Sequence, residues 1–84
     1  MYIYLEQKKE LFTDEGQRMF LKIRDKAFEL LESSGAFRLS NVIKDIAGDS
    51  FLMLACVDRM VELEEIKEIP QNDAMAQNKI FVSK

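Results

Sequence analysis

Cys56 is the one thiol in an 84-residue chain that contains no histidine. That pairing narrows the chemistry at once. Histidine is the commonest general base near neutral pH and the commonest metal ligand. Without it, a cysteine nucleophile lacks its usual activator. Cys56 stands in Leu54-Ala55-Cys56-Val57, an apolar setting that keeps a thiol protonated and inert. Carboxylates pair as Glu62 with Glu65 and Glu64 with Glu68. Acid–base work would need a cleft to drive their pKa values apart, and a chain this short has little room for one. Asp45 and Asp49 do not follow a calcium-loop spacing, and there is no Gly-rich phosphate loop or CxxC pair. The expectation is a non-enzymatic protein with no catalytic residue, no cofactor and no metal.

Binding residues are easier to find. The stretch FLMLACVDRMVELEEI, residues 51–66, has helical periodicity. At about 100° per residue, Met53, Cys56, Val57, Met60 and Val61 fall on an inward face. Phe51, Ala55, Asp58, Arg59 and Glu62 fall on the outward face, with Leu52, Leu54 and Leu63 at its borders. Phe51 with Leu52, Leu54 or Ala55 makes an apolar patch rimmed by Asp58, Arg59 and Glu62, the kind of surface that binds protein. The plainer alternative is a solvated acidic face, with the border leucines covered by the hairpin or by the N-terminal MYIYL.

The elements that position these residues can be read along the chain. Residues 1–84 form a single domain. Residues 1–12 are an arm, in which MYIYL alternates like a short strand. Residues 13–34 form the first helix. Thr13 or Asp14 caps it, Asp14 with Gln17 approximates a capping box, and Phe12 staples its start. Phe20, Ile23, Ala27, Leu30 and Leu31 share one face of it, and Leu21 and Phe28, seven residues apart, form a second stripe. Gly35 is a left-handed helix cap, followed by a short extended piece, Ala36 to Leu39. Residues 40–64 hold a short helix through Ala47, a turn at Gly48 and the third helix, capped by Asp49 or Ser50. Residues 65–83 form a hairpin: a strand closed by Pro70, a polar loop from Gln71 to Asn78, and a returning strand from Lys79 to Ser83.

This order resembles the winged helix-turn-helix superfamily over roughly residues 14–83. In that superfamily the third helix commonly ends as Leu-x-x-Leu-Val-x-x-Gly-x-Ile. Here the equivalent is Val57-Asp58-Arg59-Met60-Val61-Glu62-Leu63-Glu64-Glu65-Ile66, with Glu64 where the pattern commonly has Gly. The resemblance implies an α+β fold, three helices plus a C-terminal β-hairpin wing, to which the MYIYL alternation could add a strand at the N-terminus. It also implies DNA binding, with the third helix in the major groove.

The charges argue against that implied function. Net charge is −3; residues 1–46 hold eight basic and eight acidic side chains, and residues 47–84 hold four and seven. The expected reading helix therefore lies in the acidic half. Major-groove readers need donors such as Arg, Lys, Asn or Gln, and only Arg59 qualifies on its outward face. Asp58 and Glu62 would meet phosphates. The leading expectation is a cytoplasmic adaptor or regulator that binds a protein partner, or itself, through Phe51, Leu52, Ala55, Asp58, Arg59 and Glu62. The alternative is a dimeric DNA-binding regulator contacting DNA through Arg59, Lys67, Asn78 and Lys79. Met19, Leu21 and Phe28 exceed what one small core needs, which gives a homodimer some support, with packing inside the chain the stronger alternative. No 18-residue apolar segment exists, so no membrane span is expected.

Overall fold

The computed structural model describes residues 1–70 and 78–84. The chain is α+β. Its elements run α1 (Tyr4–Gln7), a 3-10 turn (Lys8–Phe12), α2 (Asp14–Ser34), β1 (Ala36–Arg38), α3 (Leu39–Ile43), α4 (Ser50–Glu62), β2 (Ile66–Ile69) and β3 (Ile80–Ser83). The polar loop expected at 71–78 lies outside the described residues as far as 77.

α2 begins where its residues dictate. The Thr13 side chain accepts from the Gly16 N–H, satisfying one of the free donors of the first turn. Gln17 reaches past the cap rather than pairing with Asp14: its amide donates to the Leu11 carbonyl. The helix ends at Gly35, whose φ of 78° is the left-handed conformation a β-carbon disfavours. Met19, Ile23 and Ala27 are buried along one face, so Met19 belongs to the core and not to a spare surface. Asp49 caps α4, accepting from the N–H groups of Phe51 and Leu52. From α4, Met53, Cys56, Val57 and Met60 enter the core with Leu52 and Ala55; Val61, placed inward by its periodicity, is exposed near the helix end.

The sheet has the order β1-β3-β2, antiparallel throughout. Phe37 of β1 faces Phe81 of β3 in register, and their rings stack with centroids 5.4 Å apart. The short extended piece after Gly35 is thus a strand of this sheet. α3 is shorter than its pattern indicates and ends at Ile43.

The N-terminal segment is not a strand. Residues 4–7 form one helical turn, and Lys8–Phe12 continue as a 3-10 turn. The physical reason is in the residues that follow the Tyr-Ile-Tyr alternation. Leu5 to Glu10 are good helix formers, and Leu11 is only 1% exposed, an apolar anchor that holds the arm against the body. Gly16 makes that approach possible. A β-carbon there would overlap the Glu10 carbonyl oxygen and lie 2.7 Å from the Leu11 Cα.

Candidate interaction surface on α4

Phe51, Ala55, Asp58 and Glu62 follow one another at helical spacing along α4, with Arg59 beside them. The N-terminal arm lies along this stripe. The Tyr2 hydroxyl donates to Asp58 Oδ2 at 2.6 Å, and the Tyr2 ring meets Phe51 edge-on with centroids 5.8 Å apart. The Tyr4 hydroxyl donates to Glu62 Oε1 at 3.0 Å, and Lys8 Nζ donates to Glu62 Oε2 at 2.8 Å. Arg59 also donates to Glu62 and sits 5.5 Å from the centre of the Phe12 ring.

Each expected site residue now has a place. Phe51 stands at the rim, 37% exposed. Leu52 and Ala55 are buried in the core and present nothing to a partner. This corrects their assignment to the interaction surface, Leu52 from the border of the outward face and Ala55 from the face itself. Ala55 lies midway along the stripe that the arm bridges, and the arm turns the outward side of the helix into an interior one. Asp58 and Arg59 are half-buried, and Glu62 is exposed but carries three donors. Of the residues expected to touch DNA, Arg59 is held by Glu62 and Phe12. Lys79 lies 3.7 Å from Glu68, and Lys67 is exposed on β2. Asn78 is half-buried just before β3.

The electrostatics follow from these contacts. The hydrogen bonds from Lys8 and then Arg59 hold the Glu62 carboxyl down at about 2. Burial, then the bond to Glu62, pushes the Tyr4 hydroxyl up to about 12. Tyr2 is raised further, by burial first and by the Asp58 acceptor second. Burial pushes the Cys56 thiol up to about 12, far from the thiolate a nucleophile needs.

The surface left exposed is a composite of arm and helix. Leu5 is 80% exposed and Phe12 59%, with Ile3, Phe51 and Leu63 partly so. A groove of about 340 Å³ runs between Leu11, Phe12, Gln17, Phe20, Arg59 and Leu63. Its walls are mostly apolar, with the Gln17 side chain and one guanidinium, which suits a partner's side chain better than a phosphate backbone. A smaller cavity of about 50 Å³ lies among Tyr2, Leu54, Val57, Asp58, Lys79 and Phe81, with room for water only.

The arm's docking is the feature that periodicity missed. Two signals for it were present. Tyr2 and Tyr4 carry polar tips on apolar bodies, which seek acceptors when buried. Gly16 sits inside a helix start where nothing local calls for it. Among the described residues, no group of three or more His, Cys, Asp or Glu could hold a metal ion, and no helix is long and apolar enough to cross a membrane. Compared with family models, curated proteins and solved structures, the chain matches none.

Proposed function

We propose that this chain is a winged-helix domain that works by binding another protein, not by catalysis and not by reading DNA. The winged-helix reading rests on the helix order α2-α3-α4 and on α4 running into the β2–β3 hairpin, with β1 as third strand beside β3. The binding surface is the arm together with α4: Ile3, Leu5, Phe12 and Phe51 as apolar contacts, with Asp58, Arg59 and Glu62 fixing the arm beneath them. The lone buried thiol suits a reducing cytoplasm.

The carrying observation is that the polar groups of α4 needed for major-groove contact are already occupied inside the chain. Tyr2, Tyr4, Lys8 and Phe12 engage Asp58, Arg59 and Glu62. Removing the arm would bare two carboxylates around a single arginine, which phosphates repel.

The test has two arms. Labelled mixed-sequence duplex DNA is titrated with the full chain and with a full-length variant whose arm contacts to α4 are removed (Tyr2→Phe, Tyr4→Phe and Lys8→Ala), at about 50 mM salt and above. Neither form should bind. Micromolar binding that falls steeply with salt would instead support the DNA-binding regulator, with Arg59, Lys67, Asn78 and Lys79 as its contacts. In the second arm, a photo-crosslinking residue replaces Leu5 or, as control, Lys67. A discrete covalent adduct to another protein should form from Leu5 and not from Lys67. Equal labelling from both positions would remove the arm as the binding surface.

A further inference from the structure

α2 carries a second apolar stripe that stays exposed among the described residues. Leu21 is 54% exposed and Phe28 37%, about two turns apart on one line of the helix. That line lies about 150° around the axis from buried Met19, Ile23 and Ala27. Arg24 sits 5.0 Å from the centre of the Phe28 ring and is itself fixed by two hydrogen bonds to Glu65. The exposed ring is thereby held in place. Between residues 18 and 32, charge on the flank of this face away from Arg24 is divided by sign. Arg18 and Lys22 are exposed beside the first half of the stripe; Asp25, Glu29 and Glu32 are exposed beside the second.

We propose that this face takes a second copy of the same chain, α2 against α2 and antiparallel, about a two-fold axis near residues 24 and 25. Leu21 then packs beside Phe28 of the second copy, and Phe28 beside Leu21 of the second copy. The same register brings Arg18 to Glu32 of the second copy at both ends of the contact. A parallel arrangement would set basic half against basic half and acidic half against acidic half. The antiparallel one matches them and also opposes the two helix dipoles. An apolar pair and a charged pair, each centred on the same point of one helix, is the pattern that an isologous contact requires of a single surface. Two elements oppose the contact: Asp25 and Arg24 each meet their own symmetry mate near the axis, although Arg24 is paired with Glu65 and Lys22 lies a turn from Asp25 on each chain. The dimer is therefore weak and concentration-dependent. It uses the side of α2 turned away from the core, so it stands whether or not the arm and α4 bind a protein.

Sedimentation velocity on the full chain over a concentration series at low salt tests this, with circular dichroism melts confirming that each variant folds. The wild type should show a reversible monomer–dimer equilibrium. Leu21→Ser with Phe28→Ser should be monomeric at every concentration used. Arg18→Glu alone, or Glu32→Arg alone, should raise the dissociation constant about tenfold. Both changes in one chain should restore it, and the two single variants mixed should form a heterodimer more readily than either self-associates. Asp25→Asn should tighten the contact. A chain monomeric throughout, a dimer indifferent to the Leu21 and Phe28 changes, or a double charge reversal no better than the singles would each overturn the proposal.

Discussion

Glu64 holds its backbone at φ 63°, the one non-glycine residue with positive φ among those described. An L side chain in that conformation is destabilised by roughly 1 kcal/mol or more. The turn from α4 to β2 therefore has the shape that glycine makes most easily, although its residue is a glutamate. Part of the strain is offset locally, since Glu64 accepts from Lys84 at 2.8 Å, which draws its carboxyl below the ordinary range. Both side chains are well exposed, so that pair contributes little. Glu64→Gly should thus raise the melting temperature by a few degrees, despite the greater freedom glycine has in the unfolded chain. A lower melting temperature would show that the Lys84 contact outweighs the backbone strain. Cys56 offers a second check at this scale. Buried, with its thiol pushed up to about 12, it should resist a thiol reagent in the native protein and react fully in denaturant. Rapid labelling under native conditions would mean that α4 opens locally far more often than its packing implies.

The arm is the element in which sequence and structure part company. Caps, the long helices and the hairpin strands were legible because each depends on residues close in the chain: Thr13 on Gly16, Asp49 on Leu52, Gly35 on its own φ. The arm's place depends on partners more than fifty residues away, Tyr2 on Asp58 and Lys8 on Glu62, and no local period encodes that. For the same reason Ala55 looked exposed: helical phase gives the direction of a side chain, not what lies across from it. Both tyrosines of the chain lie in the arm and there is no tryptophan, so intrinsic fluorescence comes from the arm. Glu62 has its pKa lowered on folding, from 4.5 to about 2. Its contribution to docking is complete above 4.5 and is lost as pH falls toward 2. Tyr4 is raised from 10.0 to about 12, so its contribution is complete below 10.0 and is lost as pH climbs through 12. Tyrosine fluorescence should therefore hold a plateau between these limits and change on both sides of it. A change centred near neutral pH would mean that other groups hold the arm. Gly16→Ala tests the steric half of the same contact. In most helices glycine to alanine is stabilising by up to about 1 kcal/mol. Here the new β-carbon meets the Glu10 carbonyl, so the melting temperature should fall and the tyrosine signal should shift to that of a released arm.

At the scale of the whole molecule, the arm completes the core, which makes it structural as well as a cover. Much of that core was legible, because Ile23, Ala27, Met53, Val57 and Met60 repeat with helical period and Ile66 and Phe81 lie on strands of clear composition. Leu11 was not, since it belongs to no periodic run and is buried only because the turn before α2 folds inward. It is nonetheless among the largest fully buried side chains, beside Ile23, Met60 and Phe81. A domain of this size buries a modest fraction of its surface and is stable by only about 5–10 kcal/mol. One well-packed leucine is then a large share of the total. Leu11→Ala should lower the unfolding free energy by about 2–4 kcal/mol in urea titration, through the lost transfer energy and the cavity left behind. Phe12→Ala, one residue on but mostly exposed, should change it by less than about 1 kcal/mol while weakening the crosslink expected at Leu5. The two outcomes separate the arm's roles: Leu11 ties it to the fold, and Phe12 faces outward on the proposed partner surface. If Leu11→Ala left global stability untouched and altered only the tyrosine signal, the arm would be an appendage that unfolds independently of the domain beneath it.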